Sequence, residues 1–346
     1  MVWKTTGISV SLALCCCVGA MAQEQYNIVT GSQNGIYGQI GNDLSKFVAK
    51  PAGISLSVLR SNGSVENIKR MRDERGTKFA LVQSDVYQAF QDQAAAGNAE
   101  AARIVGPLRV ILPLYDEEVY FVVRADAPAS WVHDIRNLRI NIGPIGSGTA
   151  MTAATLYRLM FGEAPPAGNL SMLTSEEALV KLAKDKTVDV VVVVAGQPTP
   201  LFLGMEPGVE KYFKLLRFDE SNPASAKALA TYGKTLVKVS SYPNWLSQDV
   251  PALSVKTLLV TYDYVQKATQ AALGRFAHSL CGSFGTLQKE GHPKWRQVNL
   301  DLPPLGAGWK YSTATEPTLE RCAAARKVPP KPPCALEEKV MRLCVD

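Results

Sequence analysis

The feature that most constrains the fold is a unit of strand, polar loop and helix that occurs three times after residue 25. An apolar segment begins each unit, a loop rich in Gly, Ser, Asn and Gln follows, and an amphipathic helix ends it. This alternation is typical of parallel strands joined by crossover helices. The predicted strands are 26–30, 54–59 and 79–82, and the predicted helices are 36–49, 65–74 and 86–96. Ligands of open α/β sheets bind where such strands end, so we expect a site at that edge.

The middle of the chain repeats the plan. Strands are predicted at 119–123, 139–142 and 188–194, and helices at 150–161 and 176–184. A later strand, 255–261, is expected to pair with 119–123, and a long helix at 264–287 follows it. A chain of 346 residues fits about two domains. We therefore predict two α/β lobes joined by a pair of strands, with residues 23–117 and 262–346 in lobe I and residues 118–261 in lobe II.

Residues 1–22 have the pattern of a cleavable signal peptide. Lys4 is followed by an apolar run that starts at Ile8 and reaches Ala20-Met21-Ala22. The run is about 15 residues long, short of the roughly 20 that a membrane-spanning helix needs. We expect export to the periplasm with cleavage near Ala22, and a retained membrane anchor is the alternative.

Four cysteines remain after the expected cleavage: Cys281, Cys322, Cys334 and Cys344. In an oxidising compartment they allow three disulfide pairings. Segment 335–343 is predicted to be helical, and a rise of about 1.5 Å per residue would place Cys334 and Cys344 some 15 Å apart. Because a disulfide needs Cα atoms within about 7 Å, we expect Cys281 to bond to Cys334 or Cys344, with Cys322 taking the other. Four free thiols are the alternative.

Charge and motif patterns disfavour several function classes. The formal charge of +6 is scattered along the chain, so we expect no nucleic-acid partner. His133, His278 and His292 have no partners at metal-ligand spacing, so we expect no metal site. Segment 146–149, Gly-Ser-Gly-Thr, lacks the Lys of a phosphate loop and the third Gly of a dinucleotide loop. We predict neither a cofactor nor an enzymatic activity.

The strand-end loops carry the chemistry of small-solute recognition. Glycine lets the backbone approach a ligand closely, and helix N-termini offer free N–H groups and a positive dipole end to a carboxylate. Ordinary turns and helix caps favour the same residue types, and they are the alternative at each loop. Recurrence in both predicted lobes favours recognition.

Five segments carry a family resemblance. They are Thr30-Gly31-Ser32 with Gly35-Ile36-Tyr37, Ser61-Asn62-Gly63-Ser64-Val65-Glu66-Asn67, Ala80-Leu81-Val82-Gln83-Ser84-Asp85, Asn141-Ile142-Gly143-Pro144 with Gly146-Ser147-Gly148-Thr149, and Ala195-Gly196-Gln197-Pro198. In this order they resemble the TAXI-type solute-binding proteins, the extracytoplasmic subunits of a class of TRAP transporters. The similarity runs from about Tyr26 to His292.

The resemblance implies a type II-like periplasmic binding protein fold, in which each lobe is a mostly parallel sheet flanked by helices and hinge strands join the lobes. It also implies delivery to a membrane permease driven by an ion gradient, and glutamate, glutamine or a related dicarboxylate as ligand. Two positions depart from the family. Gly38 follows Tyr37 where a second aromatic residue is usual, and Gln197 stands where His is common. Both positions are expected to face the cleft, so the ligand is open to differ.

The predicted ligand site draws on both lobes. Neutral hydrogen bonds are expected from Ser32, Tyr37, Ser61, Ser64, Asn67 and Gln83 of the first lobe. The second lobe would hold a ligand carboxylate with Ser147, Gly148 and Thr149. Asp85 would pair with a ligand ammonium, or cap the helix that begins at Val86. Gly35, Ile36, Gly63, Gly196 and Gln197 complete the predicted site.

The expected function is that of a monomeric periplasmic binding subunit that delivers a small carboxylate solute to a TRAP permease. A ligand-sensing module that reports to a membrane receptor, without transport, is the alternative. An exported hydrolase would need an activated nucleophile, for which Ser147 is the candidate.

Overall fold

The structure is a computed structural model, and it describes residues 24–32 and 35–327. The expected signal peptide, Cys334 and Cys344 lie outside these residues. Within the two described ranges, no helix has the length and apolarity that a membrane crossing requires.

Ten strands form one sheet. They are β1 (Glu24–Val29), β2 (Ile54–Leu59), β3 (Thr77–Gln83), β4 (Leu108–Arg124), β5 (Ile140–Asn141), β6 (Leu170–Ser171), β7 (Val190–Ala195), β8 (Phe213–Leu215), β9 (Gly233–Val237) and β10 (Val250–Tyr262). The sheet order is β2-β1-β3-β10-β4-β7-β5-β6, with β8 on β4 and β9 on β10. β1 runs parallel to β2 and β3, and β5 runs parallel to β6 and β7. The predicted α/β class is therefore confirmed.

The helices are α1 (Ile36–Asp43), α2 (Ser64–Asp73), α3 (Ser84–Ala95), α4 (Ala99–Val105), α5 (Gly148–Phe161), α6 (Ser175–Val180), α7 (Pro200–Leu203), α8 (Pro223–Ala226), α9 (Lys267–Glu290) and α10 (Glu316–Lys327). Six of the predicted helices are present, as α1, α2, α3, α5, α6 and α9, whereas the other four were not predicted. π-helical turns extend α1 through Leu44–Ala49 and α6 through Lys181–Asp185. Short 3-10 turns occupy Val132–Ile135, Ala167–Asn169, Val209–Lys211, Lys227–Ala230, Val239–Ser241 and Pro293–Gln297.

Each half of the sheet is covered by apolar side chains on both faces. Around β1–β3, which we call the first half, α1 and α9 pack on one face and α2, α3 and α4 on the other. Around β5–β7, the second half, α5 packs on one face and α6 and α7 on the other. Burial of these apolar side chains is the main driving force for the packing of helices on both faces of the sheet.

Two long antiparallel strands, β4 and β10, connect the halves. The two strands pair, but the predicted pairing of residues 255–261 with 119–123 is wrong in register. Val255 lies opposite Glu117 and Thr261 opposite Arg109, whereas Val119 lies opposite Leu253. We call the buried apolar side chains of the first half the first core and those of the second half the second core. β4 leaves the first core after Tyr115 and enters the second core at Val119.

β10 returns from the second core to the first between Val255 and Leu258, and a β-bulge interrupts the ladder between Lys256 and Leu258. We call residues 116–118 and 256–257 the crossover segments. Because a bulge bends a strand locally, they are where the sheet changes direction most readily.

The disulfide differs from the predicted pairing. Cys281 of α9 is bonded to Cys322 of α10, with Cα atoms 6.0 Å apart. α10 packs along α9, and Leu319 and Cys322 are buried in the first core, which brings the two sulfurs together. The prediction excluded this arrangement through the distance between Cys334 and Cys344, and that distance does not constrain the contact between α9 and α10.

Candidate functional site

A cleft of about 780 Å³ opens between the two halves, where β1, β2, β3, β5 and β7 end. Ten of the predicted ligand residues line it: Ser32, Gly35, Ile36, Tyr37, Gly63, Ser64, Gln83, Ser147, Gly148 and Thr149. The carboxyl edge of the strands is therefore where the loops converge, as the strand-first alternation predicts.

The cleft wall contains the beginnings of four helices. Gly35, Ser64, Gly148 and Ser175, which lie at the starts of α1, α2, α5 and α6, all line it. Ser147 caps α5, and its Oγ accepts from the N–H of Ala150 at 3.0 Å. The first N–H groups of a helix have no partner within it, and the dipole makes this end positive. The arrangement suits the anionic end of a ligand.

The two halves touch where α2 and α5 begin. A Cβ on Gly63 would lie 3.2 Å from the Gly148 nitrogen, and Gly63 has a φ of +126°. Both the close approach and the positive φ therefore favour glycine at this position. A Cβ on Gly148 would run into the Gln83 side chain and lie 3.0 Å from Ser64 Oγ. The N–H of Glu66 also donates to the Gly146 carbonyl at 3.0 Å. The structure thus has the halves closed against each other.

Glu117, on a crossover segment, lines the cleft, although its side chain was not among the predicted ligand residues. It is only 4% exposed, and the Tyr37 hydroxyl donates to its Oε2 at 2.7 Å. Burial raises the pKa of Glu117 to about 7, with Tyr37 and Lys294 acting in the opposite direction. Burial also raises the pKa of Tyr37, and the charge of Glu117 adds to that effect. A carboxyl with this pKa changes its charge near neutral pH.

Lys294, in the turn Pro293–Gln297, is associated mainly with the neighbouring Glu118. Its side chain is 2% exposed. The Nζ donates to the Asp116 carbonyl and to Gln297 Oε1 at 3.0 Å each, and it lies 3.7 Å from Glu118 Oε2. Burial lowers the pKa of Lys294, and it raises the pKa of Glu118. Lys294 does not line the cleft, so it makes no direct contact with a ligand there.

Two further polar groups lie close to Glu117. The Tyr115 hydroxyl and Thr257 Oγ1 are buried and make no hydrogen bond to any described residue. Burial raises the pKa of Tyr115, and the charge of Glu117 adds to the shift.

The charged residues of the cleft wall all carry the same sign. Glu117 and the exposed Glu176 line it, and no Lys, Arg or His is among the described lining residues. The other polar groups that the predictions did not include are Asn62, Thr174, Ser175 and Thr199. Within the described part of the chain, no three His, Cys, Asp or Glu side chains gather as a metal ion would require.

This chain is similar to known proteins in sequence and in fold. The family model for the NMT1-like family matches residues 28–273. The chain belongs to the NMT1-like family. Among solved structures it is similar to the periplasmic binding protein BugD, at 10% identity over 88% of this chain and 95% of that one, with a TM-score of 0.50.

Two other solved structures are similar to this NMT1-like protein. The binding-protein component of an ABC phosphonate transporter from Pseudomonas aeruginosa is 12% identical over 93% of each chain, with a TM-score of 0.47. The substrate-binding protein of an amino acid ABC transporter is 13% identical over 78% of this chain and 99% of that one, with a TM-score of 0.46. Identities this low show the fold alone. The similarity to BugD confirms the predicted periplasmic binding protein fold.

In the NMT1-like chain, two predicted ligand residues lie behind the cleft wall. Asn67 is fully buried, and its Nδ2 donates to the carbonyls of Thr30 and Leu81 at 2.5 and 2.7 Å. Ser61 Oγ donates to Asn67 Oδ1 at 2.5 Å. Both side chains join the loops that follow β1 and β2 to strand β3, so they position the wall of this NMT1-like cleft and do not line it.

Asp85 joins the two halves and does not line the cleft. Its Oδ2 accepts from Thr152 Oγ1 at 2.6 Å and from the Tyr232 hydroxyl at 2.8 Å, and its Oδ1 accepts from the Val86 N–H. α3 begins at Ser84, so Asp85 belongs to the first turn of the helix and is not its N-cap. Burial raises the pKa of Asp85. Its hydrogen bonds to the second half occupy the oxygens that we expected to meet a ligand ammonium.

Gly196 and Gln197 do not line the main cleft. A Cβ on Gly196 would lie 2.6 Å from Lys294 Cε, so the glycine makes room for that buried lysine. Gln197 Nε2 donates to Glu118 Oε1 at 2.8 Å, and the Gln197 backbone N–H donates to Glu118 Oε2 at 2.7 Å. In this NMT1-like chain, Gln197 therefore holds the Glu118 carboxylate in place. Both residues line a groove separate from the main cleft.

Proposed function

We propose that this protein is an extracytoplasmic solute-binding protein of the TAXI type, which captures one small carboxylate-bearing solute and delivers it to a TRAP-type permease. The observation that carries the proposal is the cleft itself, because residues from both halves line it and four helix N-termini face into it. The proposed ligands are glutamate, glutamine or a related dicarboxylate. The ligand residues would be the ten predicted side chains and backbones of the wall, together with Glu117.

The arrangement of the two cores supports a division into two lobes. We propose that β4 leaves lobe I at residues 116–118, close to the predicted boundary at 117. The return through β10 would fall between Val255 and Leu258, a few residues before the predicted boundary at 262. Within the described residues, two strands alone cross between the cores, and a bulge interrupts their ladder there, so bending at this place disturbs little apolar packing.

Ligand binding would be coupled to closure of the lobes. Gly63 and Gly148 meet across the cleft in the closed arrangement, and a ligand held by both walls stabilises that arrangement relative to an open one. The closed form would be the one that the permease recognises. Export of the chain through its predicted signal peptide, with cleavage near Ala22, would place it where such a ligand is met.

A thermal-shift screen of amino acids and dicarboxylates tests the binding function. A cognate ligand at a hundred times its dissociation constant should raise the free energy of unfolding by about 2.7 kcal/mol. A screen in which no carboxylate changes the unfolding midpoint would contradict the proposal. Delivery is tested separately with a TRAP permease in proteoliposomes, where uptake of the bound solute should depend on this protein. Binding without any such uptake would favour the sensing module over the transporter subunit.

A further inference from the structure

We infer that Glu117 is the counter-charge for a cationic amine of the ligand, so that the cleft selects a small zwitterion over a dicarboxylate. This inference rests on the proposed function and concerns the same cleft. It names the chemical class of the ligand, an amine and a carboxylate on one small molecule, and the residue that discriminates it.

The first step of the argument is the charge of the wall. Glu117 and Glu176 are acidic, and no basic side chain stands among the described residues that line the cleft. A dicarboxylate would bring two further negative charges beside a carboxylate that is largely removed from water. Like charges in such a site repel each other, whereas an amine would neutralise the wall.

The second step is that Glu117 has no dedicated basic partner. Lys294 lies 3.7 Å from Glu118, and its two hydrogen bonds go to Asp116 and Gln297. The Tyr37 hydroxyl holds Glu117 Oε2, which fixes the carboxyl at the cleft without neutralising it. A buried carboxylate is costly unless it is paired, so a ligand cation would supply the missing partner.

The third step concerns where each end of the ligand would lie. Glu117 is on a crossover segment at the cleft floor, whereas the α2 and α5 N-termini meet across the cleft at Gly63 and Gly148. An amine at Glu117 and a carboxylate at these helix ends would match both polarities of the wall. Asp85 cannot serve in place of Glu117, because Thr152 and Tyr232 occupy it behind the wall.

The fourth step is the dependence on pH. The titratable groups that face Glu117 are Tyr37 from α1, Tyr115 from β4, and Lys294 from the turn after α9. An ionised Glu117 pairs with an amine, and its pKa of about 7 means that the ionised fraction rises steeply between pH 6 and pH 8. Affinity for an amine-bearing ligand should therefore rise about tenfold over this interval. A protonated Glu117 that donated to a ligand carboxylate would give the opposite slope.

The experiment is isothermal titration calorimetry at pH 8 with matched pairs of probes that differ only in the amine. Suitable pairs are L-glutamate with glutarate, L-glutamine with glutaramate, and each remaining L-amino acid of the standard set with its deaminated acid. Wild-type protein should bind at least one amino acid, and it should bind the deaminated partner roughly 10- to 100-fold more weakly, as expected for loss of a charge-assisted hydrogen bond.

Two variants complete the design. Glu117→Gln should lose most of the preference for the amine and most of the pH dependence. Asp116→Asn is the matched control, because Asp116 is the next residue on the same strand, pairs with Lys256 at 2.8 Å and does not line the cleft. It should keep both properties.

The outcomes separate this inference from the proposed function. Equal binding of an amino acid and its deaminated partner by wild-type protein would overturn the role of Glu117 and leave the binding function in place. Affinity that falls between pH 6 and pH 8 would do the same, and it needs no variant to fold. Failure of every probe to bind would overturn the proposed function together with the inference.

Discussion

At the scale of single residues, the consequential side chain is one that the sequence does not single out. Glu117 stands in the run Tyr115-Asp116-Glu117-Glu118-Val119, where three acidic residues follow one another. The strand turns alternate residues to opposite sides, so Glu117 faces the cleft whereas Asp116 and Glu118 face the groove behind it. This orientation depends on how β4 crosses between the two cores, so the local sequence pattern does not predict it.

Burial of Glu117 should make stability depend on pH in a specific direction. Its pKa is raised in the folded protein to about 7 from an ordinary value of 4.5, so the folded state binds more protons than the unfolded state between these values. The free energy of unfolding of the ligand-free protein should fall as pH rises through this window. The contribution of Glu117 to that fall is on the order of 3 kcal/mol.

Urea denaturation of wild type and Glu117→Gln at a series of pH values measures this effect. The variant should lack the fall that Glu117 causes, and it should be the more stable protein at pH 8. Asp116→Asn should keep the wild-type slope, because the Asp116 side chain is 48% exposed. Parallel curves for wild type and Glu117→Gln would contradict the prediction.

At the scale of elements, the contact between α3 and the second half should control closure. The Tyr232 hydroxyl donates to Asp85 Oδ2 at 2.8 Å, and both groups are buried. Tyr232→Phe removes a hydrogen bond to a buried carboxyl, which is worth about 1.5–3 kcal/mol. If the bond forms only on closure, ligand affinity measured by calorimetry should fall roughly 10- to 100-fold, with the ligand-free unfolding midpoint little changed.

Tyr157→Phe is the matched control for Tyr232→Phe. The Tyr157 hydroxyl accepts from the Asn137 N–H at 3.3 Å, and both residues belong to the second half. This variant should leave ligand affinity unchanged. A lower unfolding midpoint for ligand-free Tyr232→Phe, with affinity intact, would show instead that the contact persists in the open protein.

A second element-scale prediction concerns the meeting of α2 and α5. Gly148→Ala places a methyl group against Gln83 and Ser64 of the first half. Small-angle scattering should then show a radius of gyration that no longer decreases when ligand is added. Gly168→Ala is the control, because a Cβ there meets no atom within 4 Å. Normal closure of Gly148→Ala would contradict the assignment of this contact to the closed state.

Much of the element order could be predicted, because each strand, loop and helix has a recognisable pattern in its own segment of the sequence. The strands Ile54–Leu59 and Thr77–Gln83 and the helix Gly148–Phe161 lie within a few residues of their predictions. β4 was recognised only at 119–123, because Pro113 and the acidic run interrupt its apolar pattern. Ten of the predicted ligand residues, all in or next to strand-end loops, line the cleft, whereas Asp85 and Gln197 do not line it.

The reason lies in sequence separation. Asp85 meets Tyr232 across 147 residues, and Gln197 meets Glu118 across 79. A polar residue at a strand end has the same local signature whether it faces a ligand or a partner from a distant segment. Only the tertiary contacts decide between these two roles.

At the scale of the whole molecule, the disulfide fixes α10 to the first core. Cys281 and Cys322 are 41 residues apart, and a loop of this length predicts about 4 kcal/mol of stabilisation on the chain-entropy account. The double variant Cys281→Ala with Cys322→Ala should lose about this much free energy of unfolding in urea. Its ligand affinity should be unchanged, because neither cysteine lines the cleft. A double variant as stable as wild type would show that packing alone holds α10 in place.

The chain order of the first core has a consequence for how the protein folds during synthesis. Ile28 from β1 and Leu319 from α10 are buried in the same cluster, and α9 covers the face that β1 presents. The first strands to be synthesised therefore have no complete covering layer until α9 and α10 have been made. Contacts of such long range form slowly and leave apolar strand faces open to other partners meanwhile. We therefore expect the first half to complete its folding only after α9 and α10 have been synthesised, and a holding chaperone has that interval in which to bind the nascent chain.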